Sequence, residues 1–280
     1  MTQTMKYADL HVHTFYSDST FSPEAVIACA KEKGLDAIAI CDHDSIDGIA
    51  PCQKEGSIAG IEIIPAIELT AEKIDVEIHL LGYFIDWQAE WFQKLLTEIQ
   101  KARLDRVYEM LKKLKDAGIE MNPENVFKLA GKGTVGRLHV AQAMILTGKV
   151  RTFRDVFDKY IGFGKPCYVP YTKFSPKEAI EIILKAGGVP VLAHPNIAGK
   201  DEYIPEFIGY GLRGIEVYHT DHSPRARKRY EEIAKRYNLL VTGGSDCHGF
   251  AKGKVLMGGV KVPYELVEKL KTEAEKIKKL

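Results

Sequence analysis

The amino-acid sequence predicts an α/β fold, a barrel of about seven strands carrying an all-helical insertion. Three observations predict it. Short apolar runs alternate with amphipathic segments at both ends of the chain, the pattern of βα units around a parallel sheet. The number of these runs and a length of 280 residues suit one barrel-sized domain. Between about Trp91 and Tyr160 no convincing strand pattern occurs.

Tyr7 to Val12 reads as the first strand. Ser22-Pro23-Glu24 opens a helix, with Ser22 as N-cap and Pro23 at the first helical position, and that helix runs to about Lys33 before Gly34. Asp36 to Cys41 is a buried strand, and Ile61 to Leu69 and Val76 to Phe84 are two more. Phe92 to Ala117 is one long amphipathic helix ending at Gly118. Shorter helical patterns follow around Pro123 to Leu129, Gly136 to Leu146 and Thr152 to Tyr160. The rhythm then resumes: helix Pro176 to Ala186, strand Val189 to Ala193, strand Gly214 to Tyr218, helix Pro224 to Tyr237, strand Leu239 to Thr242 and a final helix Tyr264 to Lys279. This division gives a barrel domain from residues 1–90 and 161–280 and a helical insertion from 91–160.

Hydrophobic residues make up 45% and charged residues 28%, and the formal net charge is +1, so the overall balance demands neither nucleic acid nor a membrane as partner. Met1 to Lys6 lacks the apolar core of a signal peptide, and no apolar run approaches the roughly 18 residues of a membrane span. The five cysteines, Cys29, Cys41, Cys52, Cys167 and Cys247, form no CxxC pair, which indicates neither a disulfide framework nor a thiolate zinc site. A cytoplasmic location is the default expectation.

The chemical signals fall at predicted strand ends, the face where barrel active sites sit. His11 and His13 stand at i and i+2 and share one face of a strand, within reach of one ion, with Asp18 in the following loop. Asp42-His43-Asp44 ends a buried strand, where three polar residues need a cleft; Asp44 reads equally as the N-cap of a helix starting near Ile46. Glu68 is a carboxylate inside an apolar run, and His79 lies in an alternating strand, a weaker signal. Pro195 imposes an extended or turn conformation on His194. Asp246 and His248 repeat the i, i+2 spacing, with Cys247 between them pointing away, and flanking glycines permit close backbone approach. Six histidines and three carboxylates exceed the ligand set of one tetrahedral ion and suffice for two or three ions if Glu68 bridges.

His11-Val12-His13-Thr14, Asp42-His43-Asp44, Ala193-His194-Pro195 and Ser245-Asp246-Cys247-His248-Gly249 resemble the four motifs of the PHP (polymerase and histidinol phosphatase) superfamily, and the resemblance covers the chain apart from the insertion. It implies a distorted (β/α)7 TIM-like barrel with three divalent metal ions, Mn²⁺, Zn²⁺ or Fe²⁺. Carried over by position, His11, His13, Glu68 and Asp246 would hold one ion, Glu68, His79 and His194 a second, and Asp18, His43 and His248 a third. The chain is most similar to the bacterial branch that acts on nucleotide 5′ ends and on 3′,5′-bisphosphonucleosides. Arg137-Leu138-His139 is similar to that branch's Arg-Pro-His motif, with Leu138 in place of proline. Phe163-Gly164-Lys165-Pro166 and Gly214 to His219 also resemble its stretches.

The implied activity is hydrolysis of the 5′-phosphate of AMP, of 3′,5′-bisphosphonucleosides or of 5′ ends of short RNA, by in-line attack of a metal-activated hydroxide. Three divalent ions outweigh Asp18, Glu68 and Asp246, and the net positive charge would stabilise a phosphoryl transition state. Arg137 would clamp a phosphate bidentately, Lys165 and His139 would add contacts from the insertion acting as a substrate cap, and His219 is a candidate general acid. His222 has no assigned role. The Lys-rich end, Lys269 to Lys279, reads as a solvated helix face. Two rivals stand beside this reading: a histidinol-phosphate phosphatase, and a non-catalytic metal- or nucleic-acid-binding PHP module. No obligate protein partner is indicated.

Overall fold

The computed structural model describes residues 5–74, 76–171 and 174–279; the Met1 to Thr4 part of the N-terminal reading lies outside them. Among the described residues the strands are β1 (Tyr7–Val12), β2 (Ala37–Ile40), β3 (Glu62–Lys73), β4 (Val76–Tyr83), β5 (Val189–Leu192), β6 (Gly214–His219), β7 (Leu240–Gly244) and the two-residue β8 (Val262–Pro263). They form one sheet in the order β7-β6-β5-β4-β3-β2-β1-β8. A parallel bridge from Val12 to Cys247 brings the β7 end against β1 and nearly closes the barrel. Gly244 allows that approach, since a Cβ there would overlap the backbone of His11.

One strand departs from the parallel rule. β4 runs antiparallel to both β3 and β5. Too few residues separate β3 from β4 for the long crossover that a parallel pair requires, so the two make a hairpin. β3 also runs on to Lys73, so Glu68 lies inside a strand rather than at its end.

The helices are α1 (Pro23–Glu32), α2 (Ile49–Ala59), α3 (Glu90–Asp116), α4 (Pro123–Ala130), α5 (Arg137–Leu146), α6 (Phe153–Val156), α7 (Pro176–Lys185), α8 (Pro195–Ala198), α9 (Ile204–Tyr210), α10 (Pro224–Tyr237) and α11 (Glu265–Ile277). Local chemistry starts many of them. Ser22, Ser175 and Ser223 accept bonds from the first-turn amides of α1, α7 and α10, each followed by proline. α6 passes into a π-helical turn at Phe157–Ile161, where the sequence pattern predicts plain helix.

Three cores organise the chain. Inside the barrel, Leu10, Ala39, Ile64, Leu81, Tyr83 and Val191 pack with Val267, Leu270 and Ala274 of α11, so the final helix closes the floor. Its lysines Lys269 and Lys276 pair with Glu265 and Glu273. Outside the barrel, α1, α2, α7, α9 and α10 bury their apolar stripes against the opposite strand faces. A third core, from Val107, Met110, Leu114, Val126, Val140 and Met144 among others, lies in the helical segment and takes in Cys167 and Val169 from the chain after it. α3 serves two of them: Phe92, Leu96 and Ile99 pack on the barrel body, and Val107 to Leu114 on the helical core. Among the described residues no helix is long and apolar enough to cross a membrane.

Candidate metal centre

The register of β1 against β2 shifts between Asp9 and Val12. Ala8 and Leu10 face the barrel interior, yet Val12 packs in the outer core. A period of two would have kept all three on one face, so the bulge reverses the alternation and turns His11 and His13 inward. There His11 Nε2 lies 3.3 Å from Glu68 Oε2 and 3.6 Å from Asp246 Oδ1. His13 Nε2 is 3.1 Å from Asp246 Oδ1 and 3.4 Å from Glu68 Oε2. Glu68 is fully buried and divides its two oxygens. Oε1 faces His79 Nδ1 and His194 Nε2, each at 2.9 Å, and Oε2 faces His43 Nδ1 at 3.2 Å as well as the β1 pair. Asp18 Oδ1 is 3.1 Å from His248 Nε2, and its Oδ2 is 3.7 Å from His43 Nε2. The nine side chains singled out in the sequence thus meet at one mouth of the barrel.

Backbone strain is concentrated here. Asp44, His194 and Asp246 have positive φ of 48°, 24° and 53°, a conformation costing about 1–3 kcal/mol each. His194 therefore takes the turn rather than the extended alternative, and Glu216 Oε2 holds it by accepting its backbone N–H at 2.8 Å.

Carboxylates that sequence reading passed over orient the ligands. Glu216 Oε1 lies 3.1 Å from His11 Nδ1, and Glu77 Oε1 lies 3.2 Å from His79 Nε2. Each arrangement engages one ring nitrogen and leaves the other for the cluster, the usual carboxylate–histidine pattern behind metals. His248 Nδ1 faces the Asp246 carbonyl at 2.8 Å to the same effect. Glu216 sits in an apolar strand as Glu68 does, and Glu77 stands two residues before His79; both signals were present in the sequence. Asp42 points elsewhere. It accepts bonds from the Thr14 amide, the Thr14 hydroxyl and the Ser17 hydroxyl at 2.7, 2.6 and 2.6 Å, pinning the loop that carries Asp18. Asp44 is no helix N-cap, since α2 begins later, after Gly48. It binds Arg103 Nε at 2.6 Å instead. Cys247 is buried in the outer core, away from the cluster.

The donor set fits divalent cations. His11, His13, Glu68 and Asp246 form one group with ligand atoms close enough to share an ion, and His13, Asp18, His43 and His248 form another; His43, Glu68 and His79, and His11, Glu216 and His219, form two more. Asp18 Oδ1, His43 Nδ1 and His219 Nε2 are buried with no hydrogen-bond partner, positions that a cation would satisfy. Burial pushes the His13 pKa down to about 4 and that of His43 well below the usual range, whereas the surrounding carboxylates outweigh burial at His11 and His79 and raise both, His79 to about 9; a bound cation would take the place of the protons on those two rings. Burial alone would raise Glu68, but the imidazoles of His43, His79 and His11 outweigh it and hold the carboxyl well below its ordinary value.

Above the cluster lies a cavity of about 430 Å³, whose lining includes Arg103, Arg106, Arg137 and Lys252. Arg137 and Arg106 both bond Glu77, the latter at 3.0 Å, and Lys252 Nζ is 2.9 Å from Asp246 Oδ2. Arg103, Arg106 and Lys252 were not singled out in the sequence, because only the fold turns them toward the mouth. The other expected substrate contacts fall outside the lining. His139 is buried and its Nδ1 accepts the Gly136 N–H at 3.1 Å, fixing the start of α5. Lys165 is exposed on a loop. His219 is fully buried beneath the ligands, with Nε2 3.6 Å from Asp246 Oδ2 and Nδ1 accepting the Asp221 N–H. His222 Nδ1 faces the Val217 carbonyl at 2.8 Å.

Comparison with known proteins gives the family. The family model described as "PHP domain" matches residues 9–166. The chain is 33% identical to the 5′-3′ exoribonuclease Rnm of Escherichia coli over 86% of this chain and 84% of that protein. It is 30% identical to a 3′,5′-nucleoside bisphosphate phosphatase of Chromobacterium violaceum over 89% of this chain and 90% of that protein. A crystal structure of a metal-dependent phosphoesterase from Bifidobacterium adolescentis superposes with a TM-score of 0.87, 31% identity and 97% of each chain covered. The chain belongs to the PHP-domain family of metal-dependent phosphoesterases.

Proposed function

We propose that this enzyme hydrolyses phosphate esters of nucleotides: the 5′-phosphate of AMP, a phosphate of 3′,5′-bisphosphonucleosides, or the phosphodiester at the 5′ end of short RNA. One observation carries the reading. A cluster of nine metal-competent side chains opens into a cavity whose wall holds three arginines and a lysine. That pairing suits a phosphate ester attached to a larger anion. We assign His11, His13, Glu68 and Asp246 to one ion, Glu68, His79 and His194 to a second, and Asp18, His43 and His248 to a third, with His13 near enough to join the last group. Bound divalent ions would polarise the phosphoryl oxygens and bring the pKa of water toward about 7.

The chain's own groups do the rest. Glu77 takes donors from both Arg106 and Arg137, which holds the two guanidinium groups at the wall and leaves their remaining donors for substrate oxygens. Lys252 adds a point charge beside Asp246. Residues 91–160 act as the cap over the mouth. Ties to the barrel loops support that role: Arg103 to Asp44, the Thr134 amide to the Tyr16 carbonyl at 2.9 Å, and Gln142 to the Ala251 carbonyl at 3.3 Å. His139 acts indirectly, by fixing the start of α5. His219 supports Asp246 from below; its burial argues against delivery of a proton to a leaving group.

The test is hydrolysis with Mn²⁺: phosphate release from AMP, 3′,5′-bisphosphoadenosine and histidinol phosphate, and nucleoside monophosphate release from 5′-phosphorylated RNA oligomers. Release from the nucleotide compounds is expected. Activity on histidinol phosphate alone would sink the nucleotide reading, and silence on all four with metal bound would leave a binding module.

A further inference from the structure

Resting on the phosphoesterase reading above, we propose that Phe157 and Phe153 form a stacking slot for the nucleobase, so that the enzyme selects phosphate esters carrying a flat aromatic group.

The cavity lining is of two chemical kinds. Besides its cations the lining includes Phe153, Phe157, Leu138 and Ile197, with Phe157 next to Arg137. None of these four side chains carries a hydrogen-bonding group, so the wall can read the face of a base but not its edge. Phe153 and Phe157 stand four residues apart on one helical face and are only half buried. Both pack against the apolar core of the helical segment, which makes them rigid anchors that lose little freedom when a ligand arrives. Ile197 is 58% exposed at the rim, apolar surface that a bound base would cover.

The backbone at Phe157 is unusual in a way that points to function. Phe157 begins the π-helical turn, and the Gly162 amide closes it by donating to the Phe157 carbonyl at 3.0 Å. A Cβ at Gly162 would overlap that carbonyl, so glycine is required for the turn to close. Such turns are rare and frequent at functional sites.

Charge and distance set the order along the cavity. Glu77 joins His79 of the metal cluster to Arg137, and the Arg137 guanidinium lies 5.7 Å from the Phe157 ring centre. A phosphate at the ligands would place its sugar past Arg137 and its base against Phe157.

The experiment compares kcat/KM for AMP and for ribose 5-phosphate, which lacks the base, in the Mn²⁺-loaded enzyme. Wild type should prefer AMP. Phe157→Leu should lower the AMP to ribose 5-phosphate ratio by about fivefold or more, chiefly through KM for AMP. Phe157→Tyr should restore the ratio. Phe127→Leu, which thins the same helical core away from the cavity, should not change it. A ratio in Phe157→Leu within about twofold of wild type, or an equal fall in Phe127→Leu, would overturn the slot while leaving the phosphoesterase reading intact. No release from either compound, nor from any compound of the four-substrate test above, would refute that reading and the slot with it.

Discussion

Arg103 offers the sharpest stability test, because it ties the helical segment to the barrel through a buried charge. Its side chain is 8% exposed and that of Asp44 is 0% exposed, with Nε 2.6 Å from Asp44 Oδ2. A second guanidinium nitrogen donates to Thr70 Oγ1 at 2.7 Å. Arg103→Met keeps most of the apolar stem and removes the charge. Asp44 Oδ2 would then retain only the Tyr171 hydroxyl, 3.3 Å away. Stranding one partner of a buried pair costs about 3–5 kcal/mol, which for a chain of this size corresponds to a fall in Tm on the order of 10 °C. The assay is urea and thermal unfolding in the presence of chelator, so that metal binding does not mask the loss. The double variant Asp44→Asn/Arg103→Met should recover about half of the loss or more, since no charge is then stranded. A loss below about 1 kcal/mol in Arg103→Met, the range of exposed pairs, would refute the buried-tie argument.

Other outcomes follow from the site. His11→Ala should lose bound metal along with activity; metal content equal to wild type by elemental analysis would defeat its assignment as a ligand. Glu216→Gln should weaken metal affinity by about 10–100-fold while the circular dichroism spectrum stays that of wild type, and an unchanged affinity would remove Glu216 from the support of His11. Gly244→Ala should destabilise by about 1–3 kcal/mol or more, because its methyl group meets the His11 backbone; denaturant midpoints indistinguishable from wild type would show that β7 and β1 can separate without cost. Arg137→Lys should lower kcat/KM for nucleotide hydrolysis by about tenfold, through loss of bidentate geometry, with little change in metal content. A lysine variant as active as wild type would remove the clamp.

Much of the fold was legible because each signal is local. Ser22-Pro23, Ser175-Pro176 and Ser223-Pro224 mark helix starts by a side chain meeting its own first turn. The long α3 is visible by its period alone. The antiparallel β4 was not legible, since an apolar run records burial and not direction. Nor was the bulge in β1, which alternation alone cannot reveal, nor the π-turn at Phe157, which differs from an α-turn by one residue.

By itself the sequence determined an inventory of candidate ligands: His11 and His13, Asp18, His43, Glu68, His79, His194, Asp246 and His248, because imidazoles and carboxylates inside apolar strands need a shared partner. Tertiary structure alone decided the supports and the walls. Glu216 stands 205 residues from His11 and Glu77 stands 60 from Arg137, and no local pattern links residues so far apart. Arg103, Arg106 and Lys252 look like ordinary surface cations until α3 and the β7 loop aim them into the same cavity as the histidine and carboxylate cluster. Chemistry is a property of residue type and is written along the chain. Convergence is a property of the closed barrel, and it exists only once β7 has come round to meet β1.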